Sequence, residues 1–154
     1  MTFLELLKPQ AVKVVAAASS KKRLMHDIAD LAESAYALSA PSVVEALMER
    51  ESLGPTGVGH GVALPHARLH GLDEVKGVFI LLEKPVEFES VDRQPVDVVL
   101  SLFAPADAGV EHLKALALVS RTLRDAALCN KLRANPDAAT LHAILTEDRS
   151  SQAA

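Results

Sequence analysis

The sequence predicts a single layered domain of the α/β or α+β class, with helices packed around a small sheet. Three observations carry this. Two near-continuous apolar runs, KGVFILLEKPVEF at Lys76–Phe88 and PVDVVLSLF at Pro95–Phe103, have the length and makeup of strands covered on both faces. Stretches with apolar residues at helical spacing lie before and after those runs. At Gly57 the apolar period shortens from that of a helix to that of a strand. This order of helices, strands and helices places the chain among layered folds.

The elements follow in order. Thr2 to Leu7 suggests a short amphipathic piece that stops at Pro9, and AVKVVAAA (Ala11–Ala18) suggests a short strand. Ser19 or Ser20 can cap a helix whose apolar side is Leu24, Ile28, Leu31 and Ala35. After SAPS, Ser42 with Glu45 fits a capping box for a helix over Val43–Glu51, closed by Gly54–Pro55. Val58, Val62 and Leu64 then read as one face of a strand ended by Pro65. After the two apolar strands, APAD (Ala104–Asp107) punctuates the chain. HLKALALVSRTLRD then reads as a helix with Leu113, Leu116, Ala117, Ser120 and Leu123 on its core stripe. Ala126–Ala134 continues helically to Asn135–Pro136, and a last helix covers Asp137–Thr146. The domain is expected to span residues 1–147, with 148–154 a polar C-terminal tail.

Composition narrows the function. The 154 residues suit one hydrophobic core, and 49% apolar content argues against disorder. Aromatics are only 3%, so Leu, Val, Ala and Ile must build that core. A net charge of −4 gives no electrostatic footprint for nucleic acid. The lone Cys129 excludes a disulfide framework and a cysteine-based metal site, and reads as a buried thiol on a helix. MTFLELLKPQ lacks a basic leader, and no apolar run reaches the roughly 18 residues of a membrane span. A cytoplasmic protein without membrane insertion is expected.

The chemistry concentrates in GVGHGVALPHARLHG, Gly57 to Gly71, which holds four of the seven glycines and three of the six histidines. His66 and His70 are four apart, but Pro65 and Gly71 argue against a helix that would turn both to one metal. No acidic residue stands as in HExxH. No metal and no cofactor are therefore expected. His60 and His70 read as loop bystanders, and His26 and His142 sit in helices without a visible role. His66 differs in its flanks. Pro65 removes a backbone donor and turns the chain out of the strand. The glycines let main-chain N–H groups approach an anion, and Arg68 adds charge nearby. Imidazole can be neutral and nucleophilic near pH 7. Taken alone, Arg50 is a charge at a helix C-terminus and His112 a residue near a helix start.

The segment Arg50–Phe88 resembles the phosphotransferase-system IIA domains of the fructose–mannitol type, and most of all their nitrogen-regulatory branch. That family carries Arg-Glu, then Thr-Gly-Ile-Gly, then Gly-Ile-Ala-Ile-Pro-His. This chain has Arg50-Glu51, Thr56-Gly57-Val58-Gly59 and Gly61-Val62-Ala63-Leu64-Pro65-His66. PVDVVLSLFAP followed by HLKALA forms a second matching block that brings in His112, and the likeness runs from about Leu4 to about Leu145. His60 departs from a position where the family often has Asn.

The resemblance implies an α/β fold with a small mixed sheet flanked by helices on both sides. It implies that His66 accepts a phosphoryl group on Nε2 from an HPr-like phosphohistidine carrier, with Nδ1 held by a hydrogen bond. His112 would bond the phosphoryl oxygens and Arg50 would neutralise their charge. Thr56, Gly57, Gly59, Gly61 and Pro65 would form the wall of a shallow pocket. The protein would then be a phosphocarrier, not a turnover enzyme. Its phosphorylation state would act on target proteins such as potassium-transport or sensor components. The alternatives are a free-standing IIA that hands phosphate to a IIB domain for sugar uptake, and a binding module that is never phosphorylated. The joint presence of Arg50, His66 and His112 speaks against the latter. A metal-dependent hydrolase ranks last.

Overall fold

The computed structural model describes residues 1–147 of the chain. The expected tail, 148–154, lies outside the described residues. The chain runs α1 (Phe3–Leu6), a 3-10 turn, β1 (Val12–Val15), α2 (Lys21–Tyr36), α3 (Ala40–Ser52), β2 (Gly57–Gly59), β3 (Val62–Ala63) and β4 (His66–Leu69). It continues with β5 (Lys76–Val86), β6 (Val96–Pro105), α4 (Val110–Leu123), α5 (Ala126–Arg133) and α6 (Ala138–Thr146).

The sheet is mixed, in the order β1-β5-β6-β3-β2, with β4 also pairing β6. β5 and β6 form its antiparallel centre, with Phe79 opposite Leu100 and Ile80 opposite Val99. β1 joins β5 in parallel, and β3 and β4 both join β6 in parallel. From Val78 to Leu82 every residue of β5 is buried, and from Val98 to Ala104 every residue of β6. Side chains alternate along a strand, so such a run requires cover on both faces. α2 packs on β5 and α3, α6 on β1, α3 on β4, and α4 on β6. This is the mixed, helix-flanked sheet of a single domain that the sequence called for. Aliphatic residues dominate its core, yet Phe79, Phe88 and Phe103 are fully buried within it. Each such ring stabilises the fold by about 1.5–3 kcal/mol.

Three local readings need correction. α3 begins at Ala40 and is capped by Ser39, not by the expected Ser42–Glu45 box; the Ser39 hydroxyl accepts from the Ser42 N–H. Pro41 explains the earlier start, because the first helical turn has no use for its missing N–H. The expected strand face of Val58, Val62 and Leu64 is a hairpin instead. β2 pairs antiparallel with β3 across His60 and Gly61, whose φ values of 58° and 80° make the left-handed two-residue turn that hairpins prefer. Val58 is therefore exposed while Val62 is buried. On α4 the core face is His112, Ala115, Val119 and Leu123, whereas Leu113 is 63% exposed. Both stripes have helical spacing, and packing on β6 selects the one that carries His112.

Candidate functional site

Pro65 does not lead the chain out of the sheet as expected. It interrupts pairing and the chain re-enters as β4. β3 pairs with β6 at Val98 and Val99, and β4 pairs with it again from Leu102 to Pro105. In the gap the Pro65 carbonyl accepts from the Leu102 N–H at 3.0 Å and from the Ser101 hydroxyl at 2.8 Å. His66 is the first residue after this break, so its backbone is anchored to the central strand.

Two groups set the His66 ring. Its Nδ1 lies 2.9 Å from the Leu64 carbonyl oxygen. A carbonyl only accepts, so in the neutral ring Nδ1 carries the hydrogen and Nε2 the lone pair. Arg50 Nε, near the C-terminus of α3, donates to that lone pair at 3.3 Å. Its Nη1 also donates to the Gly54 carbonyl at 3.0 Å. His112, in the first turn of α4, stands with its ring centroid 5.7 Å from that of His66. It is 7% exposed, and its Nδ1 has no hydrogen-bond partner. Burial, with the charges of His66 and Arg68 adding to it, holds the His112 pKa below the usual imidazole value. Arg68 lies on β4 and donates through Nη1 to the Ala108 carbonyl, 2.6 Å away, just before α4.

His66, Arg50, Arg68 and His112 line one open pocket of 410 Å³, bordered by Ala46, Leu53 and Ala67, with Glu49 also on its wall. It holds a half-buried imidazole whose Nε2 lone pair faces the Arg50 guanidinium, a second guanidinium from Arg68, and the ring of His112. The arrangement suits an anionic group delivered to Nε2.

Thr56, Gly57, Gly59, Gly61 and Pro65 are not among the residues that line this pocket, contrary to expectation. The glycines serve close packing. A side chain at Gly57 would run into Ser90, one at Gly59 would press the Asp92 carboxylate, and Gly61 faces Arg133 and Asp97. The His60 N–H donates to Asp92 and its carbonyl accepts from Arg133, so the hairpin tip is pinned on both sides. Thr56 is buried, and its N–H and hydroxyl both donate to the Glu51 carboxylate at 2.7 Å. Lys21 Nζ completes that arrangement, 3.2 Å from Glu51. This network locks the end of α3 beside Arg50, and sequence reasoning missed it. Its only sequence signal is an acidic residue next to Arg50 and five before a threonine. His142, given no role from sequence, donates through Nε2 to the Leu7 carbonyl and ties α6 to the N-terminal segment. Cys129 is buried on α5, and its thiol donates to the Leu123 carbonyl at 3.2 Å.

Residues 5–148 match the family model for the phosphoenolpyruvate-dependent sugar phosphotransferase system, EIIA 2. The chain belongs to that family. This EIIA 2 chain is 42% identical over 145 residues to a nitrogen regulatory protein of Bradyrhizobium diazoefficiens, covering 94% of this chain and 95% of the relative. Its fold superposes on the crystal structure of the nitrogen regulatory protein IIA-Ntr from Neisseria meningitidis with a TM-score of 0.84. The two are 36% identical, over 92% of this chain and 97% of the other. IIA mannitol from Escherichia coli has the same fold, with a TM-score of 0.74 at 18% identity over 90% of this chain and 97% of the other. Among the described residues of this EIIA 2 protein, no helix is long and apolar enough to cross a membrane.

Proposed function

We propose that this EIIA 2 protein is a nitrogen-regulatory phosphocarrier of the cytoplasm. It takes a phosphoryl group on His66 from an HPr-like phosphohistidine protein and acts on its targets through its phosphorylation state. The Nε2 lone pair forms the new P–N bond while the donor's P–N bond breaks and returns its electron pair to the donor imidazole. Nδ1 keeps its proton on the Leu64 carbonyl. No base is needed, because a neutral imidazole attacks without losing a proton. Positioning and charge compensation remain for the protein to supply. Arg50 moves its donor from Nε2 to a phosphoryl oxygen, His112 donates to another, and Arg68 adds positive charge.

The observation that carries this reading is the pair of opposed hydrogen bonds on His66. Leu64 fixes the proton on Nδ1, which leaves the lone pair on Nε2, and the Arg50 guanidinium sits against that nitrogen. The likeness to nitrogen regulatory proteins over nearly the whole chain supports the regulatory role. Potassium-transport and sensor proteins are the target classes we propose. The test is intact-protein mass after incubation with phosphoenolpyruvate, enzyme I and an HPr-like carrier. Wild type is expected to gain one acid-labile phosphate and His66→Ala none. No gain from a donor system that phosphorylates another acceptor would refute the reading.

A further inference from the structure

A second cleft, of 330 Å³, lies between the β2–β3 hairpin and the corner where α4 passes into α5. Small-ligand sites fall in the range of about 300–1,000 Å³, which puts this one at the small end. Val58, Val62, Leu64 and Leu123 give it apolar walls, and Arg124 and Arg133 give it positive charge. No carboxylate lines it. Arg133 is already engaged, its Nε with both Asp97 oxygens and its Nη2 with the His60 carbonyl. The neighbouring Asp125 carboxylate is occupied in capping α5. The Arg124 side chain is exposed and makes no hydrogen bond or ion pair with the described residues.

We propose that this cleft binds a small amphipathic monocarboxylate. Its apolar body lies along Val58 and the edges of the buried Val62, Leu64 and Leu123, and its carboxylate meets Arg124. His60 and Ser120 also line the cleft, and with two guanidinium groups, one of them uncommitted, and no carboxylate, it favours an anionic ligand over a neutral one. The cleft also touches the acceptor histidine through one residue. Leu64 lines the cleft, and the Leu64 carbonyl holds His66 Nδ1. A ligand against Leu64 therefore acts on the group that orients the imidazole. This regulatory consequence rests on His66 being the phosphoryl acceptor; the binding itself does not.

The experiment is a titration of sodium octanoate into the ¹⁵N-labelled full chain, following backbone amides and histidine ring nitrogens. Saturable shifts are expected at Val62, Leu64, Leu123 and Cys129, together with a shift of His66 Nδ1. Octan-1-ol and the Arg124→Glu variant should each weaken binding about ten-fold or more, the loss of a charge-assisted hydrogen bond. Absence of saturable shifts, or shifts centred elsewhere, overturns the proposal. So does equal binding of octan-1-ol, or an Arg124→Glu variant that binds as wild type does. Octanoate that fills the cleft without moving the His66 ring overturns the link to the histidine. None of these readouts involves phosphoryl transfer, so a failed phosphorylation assay and a failed binding assay are told apart.

Discussion

Arg50 Nε donates to His66 Nε2 across 3.3 Å, so the nitrogen we propose as acceptor is covered by the side chain proposed to stabilise its product. An arriving phosphoryl group must displace that contact. Arg50→Gln keeps a donor at the site and removes the charge. It should slow phosphoryl transfer to His66 by about 10²–10³-fold, the usual loss for one preorganised transition-state donor. Single-turnover transfer from phosphorylated carrier measures this. A melting curve close to that of wild type would separate it from unfolding.

His112 yields a pH prediction. Its folded-state pKa is held below the ordinary 6.5, so the unfolded chain takes up a proton more readily than the folded one. This contribution is intact above about pH 6.5 and is lost as pH falls from there through the depressed value. Urea midpoints at pH 7.5 and 5.5 should show wild type losing more stability on acidification than His112→Gln. Equal losses would remove His112 as the cause.

Glu51 holds α3 to the loop that follows. Removing its carboxylate leaves Lys21 and both Thr56 donors without their partner. Glu51→Ala should destabilise the fold by about 2 kcal/mol, between the cost of a surface pair and that of a fully buried one, because the pair is only partly buried. Equilibrium denaturation reads this directly.

His60 tests the hairpin turn. His60→Asn should leave stability and phosphorylation at wild-type level, because Asn also tolerates positive φ. His60→Val should cost about 1–2 kcal/mol, the penalty for a left-handed backbone bearing a branched side chain. Thermal melts of the two variants, run beside each other, decide it.

Leu113 and Val119 test the face of α4. Leu113 is 63% exposed and Val119 is fully buried. Leu113→Ser should change stability by no more than about 0.5 kcal/mol. Val119→Ala should cost about 2 kcal/mol through lost burial and the cavity left behind. The reverse ranking in denaturant titrations would return the helix to the orientation suggested by its sequence.

Much of the fold was legible because its signals are local. Lys76–Phe88 and Pro95–Phe103 read as doubly covered strands from composition alone, and Ser19 or Ser20 as a cap before a periodic helix, of which the fold uses Ser20. The failures share a cause. Leu113 and Val119 lie on two stripes of similar apolar content, and only the sheet beneath decides between them. Val58 and Val62 alternate correctly, yet a left-handed His60–Gly61 turn reverses the chain between them, and histidine does not advertise that turn as asparagine would. Of the proposed site, His66 stood out by its flanks, whereas Arg50 and His112 were named only by the family resemblance; the fold brings the three together. The supports of the site were not legible. The bonds from Glu51 to Lys21 and from Arg133 to Asp97 span many residues, and no local pattern announces them. The glycines misled because tight packing and anion binding ask for the same residue type.

The break at Pro65 bears on how information leaves this surface. Strands on either side of the proline share one central partner, and its own carbonyl is held twice, by Leu102 and Ser101. The main chain under His66 is thus tied to the central strand on one side, and the Leu64 carbonyl is its nearest link to the ring. On the proposed reading, a phosphoryl group there adds negative charge to a patch that carries Arg50 and Arg68. A protein that touches that patch would meet a different charge in each of the two proposed forms.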